Sequence, residues 1–391
     1  MIHRIWSLLA VLLLAALLLA ACAGLGRAQS AQPHAQLAAV EAVGGTGTEG
    51  FARATAPRDF VFPRDHGPHP EYAIEWWYYT GNLDTAQGRH FGYQLTFFRS
   101  ALAPEAPERA SDWAATQIYM AHFALTDVAG ERFSAFDRFS RGAAGLAGAE
   151  GEPYRVWLED WSATGSGPQG MQMHLRAAQG DVAIDLALTT DRPVVLQGDR
   201  GLSQKGSAPG NASYYYSLTR MATQGNVSVG GQRYAVHGLS WMDHEFSTSA
   251  LEQGAVGWDW FAIQLDNGRD LMYARIRNAD GSDNYAFGTL VAADGTTRPL
   301  AAGDVAVEAL GSWHSPRSGA QYPSGWRLRV PAAGLDLRLT PYLADQELPL
   351  AVVYWEGAVQ VEGTADGQPV RGNAYVELTG YAERQGQGDV R

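Results

Sequence analysis

The stretch WWYYTGNLD at residues 76–84 can be laid over WDWFAIQLD at residues 258–266, almost half a chain away. Each stretch begins with a tryptophan and ends with Leu-Asp, and each is followed by a Gly-Arg turn and a second apolar run. This repeat predicts two β-hairpins of one design, and therefore two tandem copies of one β fold. The alternative is that aromatic-rich hairpins resemble each other without any duplication.

Outward from the repeat, short aromatic and branched runs are separated by glycine, Asp-Gly and Asn-Gly. Residues 182–188 and 335–339 alternate with period two, as half-buried strands do. The chain has 45 glycines and few long helical patterns, which indicates an all-β protein of antiparallel barrels or sandwiches. We expect one domain over residues 58–246 and a second over residues 247–391.

The first residues of the chain indicate its location. Arg4 precedes a long uncharged apolar run that ends in Leu-Ala-Ala-Cys22, which resembles a bacterial lipoprotein signal. We predict a signal peptide over residues 1–21, a lipid on Cys22 and a flexible tether over residues 22–57. The lipid would attach the protein to the membrane of the cell envelope, and the outer membrane facing the periplasm is favoured because no aspartate follows the cysteine. The alternative is an uncleaved N-terminal anchor with an incidental cysteine.

Charge and cysteine content exclude several classes of function. The formal net charge of −12 argues against nucleic acid as a partner. Cys22 is the only cysteine, so no disulfide can form within the chain. Lys205 is the only lysine among 29 cationic residues, which we interpret as a consequence of genomic base composition.

Five motifs in a fixed order carry a family resemblance: EWWYYTGNL (75–83), AHFALTD (121–127), YYYSLTR (214–220), WMDHEF (241–246) and GWDWFAIQLDNG (257–268). From about residue 58 to residue 385 the chain resembles the AttH-like and hydroxyneurosporene synthase (CrtC, carotenoid 1,2-hydratase) superfamily. The resemblance implies two lipocalin-like β-barrels packed together, in agreement with the repeat. Members similar to CrtC add water to an isolated C=C bond of a carotene without a cofactor. Other relatives act on other hydrophobic molecules, and some AttH-like proteins are associated with ABC exporters.

The motif WMDHEF holds the main catalytic candidates. In a strand, Trp241, Asp243 and Glu245 share one face with His237, whereas His244 points to the other. Such a face is a poor apolar core, but it can line a cavity in a barrel. Protonating an alkene needs a strong general acid, and burial beside Glu245 would raise the pKa of Asp243. Trp241 offers a π face to a carbocation.

The resemblance implies the same roles for two of these residues. Asp243 matches the acid thought to protonate the substrate in the CrtC branch, and His244 matches the histidine that follows it. Trp241 and Glu245 replace a tyrosine and an asparagine of that branch, which removes a phenolic hydroxyl beside the acid. The four catalytic candidates are therefore Asp243, His244, Glu245 and Trp241.

Other residues could line a ligand pocket, although aromatic residues on strands are more often plain core. The clusters at residues 214–216 and 354–356 belong to this group, and the individual candidates are His237, Tyr216, Trp258, Trp260, Tyr273, Glu75 and Trp77. A competing interpretation is that Asp-His-Glu forms a structural hydrogen-bond network. A metal site of His237, His244 and a carboxylate, with His122 added from elsewhere in the chain, is disfavoured because the first two have opposite parity on one strand.

The sequence therefore predicts a lipid-anchored protein that binds a hydrophobic small molecule. If it is an enzyme, we expect a carotenoid 1,2-hydratase-like hydro-lyase that acts on an isoprenoid or carotenoid-like C=C bond, with no cofactor and no metal. The alternative is a non-catalytic carrier lipoprotein that works with an ABC-transporter permease.

Overall fold

A computed structural model describes residues 48–104, 115–248, 251–252 and 254–382. The predicted signal peptide, Cys22 and the tether as far as residue 47 lie outside these residues. None of the described helices is long and apolar enough to cross a membrane. The described end of the predicted tether packs on the body of the protein, because Ala54 is fully buried and the Ala56 carbonyl accepts a hydrogen bond from the Tyr214 hydroxyl at 2.7 Å.

The first half of the described chain forms one antiparallel sheet of thirteen strands. In chain order these strands are β1 (Ile74–Asp84), β2 (His90–Ala101), β3 (Gln117–Asp127), β4 (Arg132–Arg141), β5 (Ala147–Gly151), β6 (Tyr154–Leu158), β7 (Trp161–Ser166), β8 (Gln172–Gln179), β9 (Val182–Thr189), β10 (Val195–Leu196), β11 (Leu202–Gln204), β12 (Ala212–Val229) and β13 (Gln232–Ser247).

The second half forms an antiparallel sheet of ten strands and, over the same described range, a two-stranded ribbon of β19 and β20. These strands are β14 (Ala255–Leu265), β15 (Asp270–Asn278), β16 (Asp283–Val291), β17 (Thr297–Ala301), β18 (Ala306–Ala309), β19 (Ser312–His314), β20 (Gln321–Pro323), β21 (Trp326–Val330), β22 (Leu335–Pro341), β23 (Glu347–Pro349), β24 (Val353–Ala365) and β25 (Gln368–Leu378). Short 3-10 helices cover Arg64–His66, Pro168–Gly170, Ala302–Asp304 and Pro331–Ala333.

Both large sheets are wound in the same way. In each, the first strand pairs with the second strand and with the last: β1 lies between β2 and β13, and β14 lies between β15 and β25. Each sheet curls until it is nearly closed, so we call them the first and second barrel. The predicted fold of two tandem antiparallel barrels is confirmed. The repeated stretches are β1 and β14, the strands that begin each barrel.

Alternation along β1 explains why both of its faces are buried. Trp77 and Tyr79 point into the first barrel, where they pack in its apolar core. Tyr78 points outward and packs with Trp241 of β13 and Trp260 of the second barrel. The strand is apolar on both sides because the second barrel covers its outer face.

Ion pairs as well as aromatic contacts join the barrels. Asp270 of β15 is fully buried, and Arg220 of β12 donates to it from Nε at 3.0 Å. Arg192 also lies 3.1 Å from the same carboxylate. A buried carboxylate that depends on two guanidinium groups of the other barrel fixes how the barrels meet, because separating them would leave its charge unpaired.

Candidate functional site

A pocket lies between the two barrels, where the outer faces of β1, β12 and β13 meet those of β14, β15, β24 and β25. It encloses about 1040 Å³ of empty space, counting its solvent-filled mouth. The equivalent residues of the repeat, Trp76 and Trp258, both line it. Apolar and aromatic side chains make most of the wall, and the ionisable residues that line it are Asp243, Glu245, Glu356, Glu377, Lys205, Tyr78, Tyr215 and Tyr354.

Asp243 reaches this pocket because of its position on β13. It is the cross-strand partner of Tyr78 on β1 and Ser217 on β12. Its Oδ1 accepts hydrogen bonds from Ser217 Oγ at 2.5 Å and Trp241 Nε1 at 2.7 Å, and its Oδ2 accepts one from the Tyr215 hydroxyl at 2.6 Å. Three donors from the first barrel therefore fix the orientation of one carboxyl group at the pocket wall.

The pKa of Asp243 is raised from 3.8 to about 7. Burial is the largest cause, since a charged carboxylate loses its hydration there. The donors Ser217, Tyr215 and Trp241 oppose the rise because they stabilise the ionised form, and the nearby charge of Glu245 adds to it. With a pKa near neutrality, Asp243 can both give and recover a proton.

Glu245 and Lys205 form an ion pair beside Asp243. Lys205 Nζ lies 2.9 Å from Glu245 Oε1, and the ammonium also sits 4.9 Å from the ring centre of Tyr215 and 4.5 Å from that of Phe287. The only lysine of the chain is thus a wall residue of the pocket. Genomic base composition, the interpretation given from sequence, accounts for the scarcity of lysine but does not explain the position of Lys205.

The second barrel contributes two carboxyl groups to the opposite wall. Burial raises the pKa of Glu377 to about 8, against a hydrogen bond from Trp258 Nε1 at 3.2 Å. Burial also raises the pKa of Glu356 well above its usual range, and the Tyr78 hydroxyl donates to its Oε1. Glu356 belonged to a predicted aromatic cluster, whereas no local pattern had indicated Glu377.

His244 lies on the other face of β13, inside the first barrel. Its Nε2 is 2.8 Å from Glu75 Oε1, and its Nδ1 is 2.9 Å from the Tyr216 hydroxyl. His69 Nδ1 is also 2.8 Å from Glu75 Oε1, and Arg99 Nε donates to Glu75 Oε2 at 2.8 Å. Burial alone would raise the pKa of Glu75, but Arg99 and the two histidines hold it well below its usual range.

This buried network is the group of described residues whose geometry comes closest to a metal site. The ligand atoms of His69, Glu75 and His244 all lie within 4.8 Å of one another. Each of these atoms already takes part in a hydrogen bond, and the guanidinium of Arg99 opposes a second cation at Glu75. The chemistry of the donor set therefore fits a structural network better than a metal centre.

The structure separates the predicted ligand-binding residues into two groups. Trp258 and Trp260 line the pocket together with Glu245. The others are elsewhere: Tyr216, Trp77 and Glu75 are in the first barrel, Tyr273 is in the core of the second, and His237 is exposed at the far end of β13.

Two corrections follow from this separation. The cavity lies between the barrels and not within one, so inward-facing residues such as Tyr216 and His244 do not reach it. Tyr215, the neighbour of Tyr216, does line the cavity, because adjacent residues of a strand point to opposite faces. The metal combination that the sequence suggested does not come together among the described residues: His122 places Nδ1 2.8 Å from the Tyr354 hydroxyl, His237 is exposed, and His244 is grouped with His69 and Glu75 instead.

Comparisons with known proteins agree with this architecture. The AttH-like family profile matches residues 53–381. A crystal structure of an AttH-type protein from Nitrosomonas europaea is 35% identical, covers 85% of this chain and 100% of its own, and superposes with a TM-score of 0.75.

More distant structures share the fold. Kievitone hydratase from Nectria haematococca is 15% identical over 85% of this chain and 96% of its own, with a TM-score of 0.64. CghA in complex with Sch210972 is 14% identical over 86% of this chain and 97% of its own, with a TM-score of 0.51. A search of curated proteins finds no match.

Proposed function

This chain belongs to the AttH-like family, and we propose that the pocket between its barrels binds a largely apolar small molecule and adds water to it, with Asp243 as the proton donor. The observation that carries this proposal is a buried carboxyl group with a pKa of about 7 at the wall of an aromatic pocket. Perturbed acids in apolar clefts are typical of active sites.

The reaction can be written with this one acid. Protonated Asp243 transfers its proton to one alkene carbon, forming a C–H bond and leaving a carbocation on the other. Trp258 and Trp260 present aromatic faces that stabilise positive charge. A water oxygen bonds to the cation, and the proton it releases returns to the Asp243 carboxylate. The sum is alkene plus water giving an alcohol, with no redox change and no cofactor.

The substrate class we favour is an isoprenoid or carotenoid-like C=C bond. The pocket is apolar for most of its wall and has room for part of a long hydrocarbon. Kievitone hydratase has the same fold, so this architecture is compatible with hydration, and the assignment for this chain is carried by Asp243 and its pocket.

The second candidate function is a binding protein without chemistry. It is favoured by one observation: both oxygens of Asp243 already accept hydrogen bonds from the chain's own side chains, as a structural carboxylate would. In this case the protein would carry an apolar ligand, with an ABC-transporter permease as its partner. Under either function we propose that Cys22 carries a lipid which holds the protein at the bacterial outer membrane.

Identification of the bound ligand tests the proposal. Protein purified from its native host would be extracted, and the extract analysed by untargeted mass spectrometry for the wild type and for Asp243→Asn. We expect the variant to retain a ligand that is lighter than the wild-type product by one water. As a control, Ala274→Phe places a large ring in the pocket and should abolish ligand recovery. An identical ligand from wild type and Asp243→Asn would favour the carrier.

A further inference from the structure

The two glutamates of the second barrel form a unit of their own in the pocket. Glu356 on β24 and Glu377 on β25 are direct cross-strand partners, and both line the pocket. Directly opposed residues of antiparallel strands have Cβ atoms about 5 Å apart, so the two carboxyl groups can contact one ligand atom together. They lie on the wall opposite Asp243, and the proposed hydration does not use them.

One oxygen of this pair lacks a well-formed hydrogen bond. Tyr78 donates to Glu356 Oε1, whereas Glu356 Oε2 is buried and no described residue donates to it with good geometry, although the Tyr354 hydroxyl is near enough to act on the carboxyl group. The side chain is only 1% exposed. A buried acceptor without a donor is costly, and native proteins usually satisfy such groups. A donor on a bound ligand would satisfy this one.

The carboxyl groups around the pocket favour a positive ligand group. Four carboxyl groups line it, at Asp243, Glu245, Glu356 and Glu377, whereas Lys205 is the lining cation among the described residues. Lys205 is already paired with Glu245 at 2.9 Å. The Glu356 and Glu377 pair has no cation of the chain beside it in the pocket, so burial keeps both carboxyl groups largely protonated at neutral pH, and a bound ammonium ion would favour their ionisation.

Lys205 also shows how this pocket accommodates an ammonium group. Its Nζ lies over the rings of Tyr215 and Phe287 and against a carboxylate. The Glu356 and Glu377 wall offers the same combination, because Tyr78, Trp258 and Tyr354 line the pocket beside the two acids. Aromatic faces combined with carboxylates are a well-established way of binding ammonium ions.

We propose that Glu356 and Glu377 form a cation subsite, which receives the protonated amine of an otherwise apolar ligand. The apolar part of that ligand occupies the remainder of the pocket, between Trp76 and Trp258. This inference rests on the proposed function in one respect, namely that the pocket binds an apolar small molecule. It adds the chemical class of the ligand, and it holds for an enzyme and for a carrier.

The test compares two rigid probes of nearly equal size, 1-aminoadamantane and 1-adamantanol. Binding is followed at pH 8.5, which is above the pKa of about 8 of Glu377 but leaves the amine protonated, by calorimetry and by the fluorescence of the pocket tryptophans. We expect the wild type to bind the amine at least about tenfold more tightly than the alcohol. Glu356→Gln and Glu377→Gln should each lose most of this preference while still binding the alcohol.

A matched control is Glu362→Gln, because Glu362 lies on β24 as well but is exposed and outside the pocket. It should keep the full preference for the amine. Circular dichroism and melting temperature show whether each variant is folded, and Glu377 is the safer variant because it is less buried than Glu356. Equal affinity for amine and alcohol, or a preference that survives both variants, would overturn the cation subsite alone. Failure of the wild type to bind either probe would overturn the proposed function as well.

Discussion

Asp243 and His244 are consecutive in the chain, yet their side chains lie on opposite faces of β13 and belong to different sites. Asp243 faces the second barrel and lines the pocket with its carboxyl group. His244 points into the first barrel and is hydrogen-bonded to Glu75 and Tyr216. Substitutions at the two positions should therefore have different consequences, one for ligand chemistry and the other for stability.

The contribution of Asp243 to the free energy of unfolding should fall as the pH rises from about 4 to about 7. Asp243 has a pKa of about 7 in the folded protein and close to 3.8 when unfolded, so over this range the folded state holds a proton that the unfolded chain has released. Urea unfolding at a series of pH values measures the slope. Asp243→Asn should make this slope more positive, because it removes the contribution of Asp243 and leaves that of the buried histidines His66 and His122, which has the opposite sign.

A second buried acid serves as a control for this slope. Glu377 has a pKa of about 8 and contributes with the same sign up to a higher pH, so Glu377→Gln should remove a different part of the decline. An unchanged slope in Asp243→Asn would mean that Asp243 is ionised throughout and is not the acid proposed here.

Tyr215→Phe should raise the pKa of Asp243 further above 7. The Tyr215 hydroxyl donates to Asp243 Oδ2, and its removal withdraws a hydrogen bond that favours the ionised form. Infrared titration of the carboxyl stretch, with the Asp243→Asn spectrum subtracted to assign the band, measures this pKa. Ser217→Ala should shift it in the same direction through Oδ1. A downward shift in either variant would contradict this view of the site.

Arg99→Met should lower the free energy of unfolding by about 3–5 kcal/mol, because it leaves the carboxylate of Glu75 buried without its cation. Chemical denaturation measures the difference. The matched control is Arg327→Met, which breaks the exposed ion pair of Arg327 with Asp336 and should change the free energy of unfolding far less, because solvent already screens that pair. Equal effects of the two substitutions would show that the network around Glu75 is not stabilising in the proposed way.

Cys22→Ala should leave unprocessed precursor and abolish labelling by radioactive palmitate in a bacterial host. Lipid attachment to the sulfur of this residue is the expected basis of membrane association. Immunoblotting resolves precursor from mature protein, and fractionation shows which membrane holds it. Normal processing of the variant would show that the N-terminus is not a lipoprotein signal.

The fold could be predicted from sequence because its signals are local and repeated. The repeat at residues 76–84 and 258–266 identified the strands that begin each barrel, and period two along residues 182–188 and 335–339 identified further strands. Strand parity also placed Asp243 and His244 on opposite faces correctly. These patterns depend on neighbouring residues alone, so they are visible without any tertiary contact.

The site was only partly predictable, because its walls come from strands that are distant in the chain. The alternation of a strand groups residues by face but does not indicate which face meets the other barrel. The sequence therefore predicts Tyr216 as a pocket residue, whereas its neighbour Tyr215 lines the pocket. The partners of Glu75, namely His69 and Arg99, reach it through tertiary packing and carry no local signal. Glu377 was missed for the same reason.

The most direct test of Asp243 as the acid of a hydratase is isotope incorporation. Ligand recovered from Asp243→Asn would be incubated with wild-type protein and with the variant in ¹⁸O-labelled water, and the products analysed by mass spectrometry. We expect the wild type to form an alcohol that contains the label, and the variant to do so several orders of magnitude more slowly. Labelled alcohol formed at the same rate by both proteins would contradict the role of Asp243, and no label from the wild type would contradict hydration itself.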